Sequence, residues 1–200
     1  MEKKYKLTEE TINVGDKTLY RIEALRDFSD VKKGDKGGYI ENEKNLSQSG
    51  DCWVYGNAKV FGNAKVYGYA KVFINANIYG NAEVYNNAKV FANAKVYDDA
   101  KVYGYAEVYS DAIVYGYAMV YGNAEVFGNA KVFDYADIYG NAMVFGNAKV
   151  FDYADIYDNA EVFGNAKVYG SAEVCNNAKV YDNAEVFGNT EIRGDAVVCG

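Results

Sequence analysis

From Val54 to Val197 the apolar and polar positions recur every six residues, and the register holds across 24 hexads without a slip. Position one is Val or Ile in all 24, position two is Tyr or Phe in 22, and position five is Ala in 23. The breaks are Cys175 and Arg193 at position two and Thr190 at position five. A period this strict marks a repeat architecture before any single element is assigned. In Ala58-Lys59-Val60-Phe61 small, polar, branched and aromatic side chains alternate, which predicts a short strand with Ala and Val inward. The following Gly62-Asn63 tolerates left-handed backbone and predicts a tight corner. Three strands and three corners close a triangular coil, so residues eighteen apart become stacked neighbours. The predicted fold is all-β, a parallel solenoid of about eight coils rising about 4.8 Å each.

Residues 1–53 follow another pattern. Lys4 to Leu7, Thr11 to Val14 and Thr18 to Leu25 alternate as short strands, with a turn at Gly15-Asp16 between the second and third. Asp35-Lys36-Gly37-Gly38 reads as a further turn. Leu46 and Cys52 fall six apart in the alanine register, so coiling starts before Val54. The segment is expected to cap the first coil, whose open rung would otherwise template aggregation. The division is therefore a leader over 1–53 and a solenoid over 54–200.

With aliphatic, Asn and small residues at positions one, four and five, the pattern resembles the hexapeptide-repeat left-handed parallel β-helix. More narrowly it resembles the ydcK-type β-solenoid proteins of bacteria and their prophages. The segment RDFSDVKKGDKGGYIENEKNLSQSGDCWVYGNAKV, residues 26–60, resembles the stretch that introduces the solenoid there. The left hand of the coil and a prophage-type setting are implied by this resemblance alone. Relatives of this fold include acyltransferases with a histidine base and carbonic anhydrases that hold zinc with three histidines.

Composition bears on that implication. Histidine is absent from the 200 residues, and no loop interrupts the hexads to build a cleft, so the sequence predicts that the chain is not an enzyme. Asp98-Asp99 reads as a solvated corner. Cys52, Cys175 and Cys199 make no metal-ligand spacing and no disulfide framework, so neither cofactor nor metal is predicted. The start MEKKYKLTEE has no apolar core of a signal peptide, and no run is long enough to span a membrane, which points to the cytoplasm. The net charge of −7 argues against direct nucleic-acid binding.

Surface rows are what remain. One outward row carries Lys59, Asn77, Lys95, Ile113, Lys131, Lys149, Lys167 and Glu185; a second carries Lys65, Glu83, Lys101, Met119, Asp137, Asp155, Glu173 and Glu191. The third is mixed, from Lys71 and Lys89 to Lys179 and Val197. Charge is also polarised along the axis: residues 54–101 hold six lysines against three acids, residues 102–197 five basic residues against fourteen acids. Tyr replaces Asn at position four at Tyr69, Tyr105, Tyr117, Tyr135 and Tyr153, and the last three stack at one corner. Tyr there is expected to be strained, since position four is expected to carry positive φ. Together with Asp134, Asp137, Asp152 and Asp155 the three stacked tyrosines form the candidate protein-binding surface. Its expected partner is a host or defence protein, engaged through a basic groove, with the acidic rod imitating a nucleic acid. The alternative is a passive scaffold that self-associates. Homodimerisation through the C-terminal coil is expected from its open last rung.

Overall fold

The computed structural model describes residues 2–200. Strand β1 (Tyr5–Val14) and strand β2 (Lys17–Ala24) form an antiparallel hairpin about Gly15, and β3 (Lys36–Ile40) pairs antiparallel with β2. The two N-terminal strands expected from the sequence are one, because a bulge between Leu7 and Thr11 resets the register without breaking the pairing.

The expected turn at Asp35–Gly38 is a strand from Lys36 onward; the chain turns earlier, about Gly34 at φ 91°. Gly37 and Gly38 are glycine for space rather than for a turn. A methyl at Gly38 would lie 2.5 Å from the Ala58 carbonyl oxygen, and one at Gly37 would lie 2.6 Å from that of Val54. Neither position has room for a side chain, because the first coil packs directly on this strand.

Parallel stacking begins at β3. Tyr39 pairs with Lys59, and Leu46 bridges to Val66, each twenty residues on; Trp53 pairs with Lys71, eighteen on. The first coil is longer by two, and the spacings place the extra residues between Leu46 and Trp53, at its second corner; its first corner is a 3-10 turn, Glu43–Asn45. Asn42 and Asn45 cap that turn reciprocally, and the Asn45 amide donates to the carbonyls of Gly62 and Ala64. The solenoid therefore has nine levels, not eight, since residues 39–58 supply one themselves.

Beyond it the register is constant. Parallel sheets of nine and eight strands form two faces, and the third is continuous with β1–β3 in an eleven-stranded sheet. Each hexad donates backbone bonds to the next coil: Lys131 N–H to Ala148 at 2.9 Å, Phe133 N–H to Val150 at 3.0 Å and Tyr135 N–H to Asp152 at 2.8 Å. The inward Ala and Val of the middle coils, such as Ala124 and Val126, are fully buried. A bore lined only by these small and branched groups leaves no space for a ligand. Any binding must use an outer face, an edge or an end.

Candidate protein-binding surface

Corner geometry comes first, because it decides what Tyr117, Tyr135 and Tyr153 cost. Positive φ falls on position three throughout, at Gly116 (71°), Asp134 (59°) and Asp152 (60°), and none of the three tyrosines has it. The strain expected at position four is therefore absent. It is carried one residue earlier, mostly by glycine or by Asp and Asn, whose short polar side chains tolerate it best, but also by Ile74, Ala92 and Ser110.

At most other corners position four is Asn for another reason. Its amide donates to the same residue one coil on, as in Asn129 to Asn147 (3.2 Å) and Asn147 to Asn165 (3.0 Å). The tyrosines exchange this ladder for a ring stack. Tyr117 to Tyr135 and Tyr135 to Tyr153 are both 5.0 Å between centroids, within 5° and 7° of parallel. Relative exposures of 55%, 50% and 63% leave half or more of each residue available. Other aromatic columns also stack, including Tyr121 on Tyr139 and Tyr139 on Tyr157, whose rings are more covered.

This tyrosine edge separates two faces of opposite charge. On one side Lys131, Lys149 and Lys167 are register neighbours. On the other, Asp137, Asp155, Glu173 and Glu191 are register neighbours in the same coils. Among the described residues no lysine or arginine pairs with Asp137, Asp155 or Glu173, and no carboxylate pairs with Lys101, Lys131 or Lys149. The Tyr157 hydroxyl donates to Glu173 at 3.0 Å. Burial and then the Asp155 charge push the Asp137 carboxyl up to about 6, and burial and then Glu173 raise that of Asp155. Asp134 and Asp152 are corner residues preceding Tyr135 and Tyr153; Asp152 accepts from the Gly170 N–H at 3.1 Å. All seven candidate residues thus lie along one edge and the face beside it.

Sequence reasoning read this charge column from the eighteen-residue spacing, but not the burial that raises the pKa of Asp137 and Asp155. It missed Lys4. That side chain is fully buried, with Nζ donating to the carbonyls of Gly50 (3.2 Å) and Cys52 (2.9 Å) and to Cys52 Sγ (3.3 Å). Burial lowers its pKa and raises that of Cys52. Cys175, in the outward row, is also buried. No group of three or more Cys, Asp or Glu with metal-holding geometry occurs among the described residues, and no helix is long and apolar enough to cross a membrane.

The family described as the YdcK Beta solenoid repeat matches residues 136–150, three sides of one coil. A stretch of 37 residues, 18% of this chain, is 49% identical to the "Uncharacterized acetyltransferase YdcK" of Escherichia coli (strain K12). The chain spans about a tenth (11%) of that relative's length. The relative's name overturns the expectation that the chain is not an enzyme. That expectation was too broad. Lack of histidine removes one general base, but carboxyl groups also serve as general acids and bases. The stacked parallel coils make the chain a β-solenoid, and its repeat is similar to the YdcK Beta solenoid repeat.

Proposed function

We propose that this solenoid is a binding rod that engages a cationic protein surface through its tyrosine edge and the acidic face beside it. The observation that carries the reading is the column Asp137, Asp155 and Glu173, stacked in register with no cation beside it. Like charges one rung apart repel, and burial makes Asp137 and Asp155 costlier to ionise. A partner that brings ammonium or guanidinium groups relieves both costs at once. Tyr117, Tyr135 and Tyr153 supply flat, half-exposed rings as anchors, and the carboxylates steer approach.

A host or defence protein that normally grips a polyanion fits this description, with the rod as its mimic. The test is titration of the chain with a labelled oligolysine peptide at rising salt. Binding that weakens with salt, and weakens further in the triple variant Tyr117→Asn, Tyr135→Asn, Tyr153→Asn, supports the reading. Full affinity in that variant places the interface elsewhere on the prism.

A second reading, acyl transfer, is favoured by the name of the bacterial relative and by the Asp137 carboxyl, which sits near 6 on an open face. Turnover of acetyl coenzyme A by the wild-type chain, lost in Asp137→Asn, would support it. Equal background rates in both would remove it.

A further inference from the structure

The acidic face is also a lysine-bearing face. From the N-terminal end its outward column reads Lys65, Glu83, Lys101, Met119, Asp137, Asp155, Glu173, in unbroken parallel register. Two lysines and Glu83 lie before Met119, and only carboxylates lie after it. We propose that this face docks against the same face of a second copy running antiparallel, about a two-fold axis at Met119. The proposal rests on the reading of this face as a cation-binding surface and names its partner.

An axis lying across the face keeps each column opposite itself and reverses its direction. Met119 then meets Met119 of the partner subunit, Lys101 meets Asp137 of the partner subunit, and Lys65 meets Glu173 of the partner subunit. Because the contact is isologous, each ion pair occurs twice. Lys101, Asp137 and Asp155 have no ion-pair partner within the chain, so the dimer breaks no salt bridge to form the central pairs. The unfavourable meeting is Glu83 with Asp155 of the partner subunit. It is softened because Lys65 lies 3.5 Å from Glu83, whose other oxygen accepts from the Tyr67 hydroxyl at 3.0 Å.

The aromatic columns obey the same operator. Tyr121 meets its own copy, Tyr139 meets Tyr103 of the partner subunit, and the exposed Tyr117 lies at the axis on the edge. A parallel arrangement fails, since it would set Asp137 and Asp155 against themselves. Seven rungs at about 4.8 Å, on a face about four strand residues wide, bury on the order of 900 Å² over both copies. That is the lower end for a specific contact, so the dimer should form in the micromolar range and dissolve in salt.

The experiment uses the full chain in light scattering at low salt, with circular dichroism to confirm that each variant keeps its strands. Wild type should have twice the monomer mass and fall to the monomer in high salt. Lys101→Glu alone and Asp137→Lys alone should each weaken association at least tenfold. Mixed in equal amounts they should associate again, because the new glutamate meets the new lysine while native Asp137 and Lys101 meet each other. A monomeric wild type, single variants that keep the wild-type mass, or a mixture that stays monomeric would each overturn the proposal. So would a leading species above the dimer, which would mean that the face docks on the lysine face of Lys131 and Lys149. Oligolysine binding separates the two readings: a chain that binds the peptide yet stays monomeric loses only the second copy. One that does neither loses the cation-binding face too.

Discussion

Residues 2–38 and residues 39–200 hold themselves together by different means. In the hairpin each contact occurs once. Arg21 Nε donates to Glu10 at 2.6 Å, its guanidinium reaches the Gly37 carbonyl and the Tyr39 hydroxyl, and the Tyr5 hydroxyl donates to Leu46 at 2.6 Å. Trp53, at the start of the solenoid, takes Tyr5 and Phe28 edge-on. In the solenoid one set of contacts is copied from coil to coil, with each inward Val on the next and each ring on the next. The difference teaches where damage is local and where it is shared. A repeat has many equivalent contacts, so loss of one surface contact is small, but a polar group in the bore meets the same apolar wall on every side. The hairpin has no duplicate for any of its bonds.

The largest effect should come from the bore. Val126→Asp places an unpaired charge among Val108, Val144 and the inward alanines, and should cost about 4 kcal/mol, read as a fall in Tm. An unchanged Tm would mean that the in-and-out register is wrong. Next is the hairpin's buried cation. Lys4→Ala strips a donor from the Gly50 and Cys52 carbonyls and should cost about 3 kcal/mol in chemical denaturation. Amide exchange should rise near residues 2–54 and stay as in wild type around residue 126. Equal loosening at both places would erase the contrast between the two regions.

A smaller effect, of opposite sign, belongs to the acidic column. Asp137 ionises near 6 in the folded chain against an ordinary 3.8, so its ionisation opposes folding. The penalty is absent below about pH 4, grows as pH rises, and is complete above about pH 6. After allowance for solvent screening it amounts to about 1 kcal/mol. Asp137→Asn should therefore raise Tm at pH 7 and leave it unchanged at pH 3.5; an equal gain at both would locate the cause outside the charge. The smallest effect is expected from the triple change of Tyr117, Tyr135 and Tyr153 to Asn. It exchanges a ring stack for an amide ladder, and stability should stay within about 0.5 kcal/mol of wild type. A large loss would show the edge to be structural rather than a binding surface.

Legibility followed the same division. The hexads placed Ala124 and Val126 inward, Lys131 outward and Tyr135 over Tyr117 directly, because a residue eighteen positions away is its neighbour in space. The first coil was hidden: Tyr39, Leu46 and Trp53 pair at spacings of twenty and eighteen, with no hexad to announce them. Gly37 and Gly38 carried the composition of a turn but serve close packing, a distinction only the neighbouring Val54 and Ala58 make. At the corners, Gly and Asn both admit left-handed backbone, so the pair did not reveal which of its two residues takes it.

The sequence by itself determined the coil, its inward and outward rows and the neighbours along each column, since a one-dimensional repeat turns sequence spacing into contact. Only the tertiary structure decided how the hairpin closes the first coil, how deeply Lys4 and Asp137 are buried and which charges remain without a partner. Those depend on side chains meeting across unequal distances in the chain, and on how much water is left around them. Neither is written in a period.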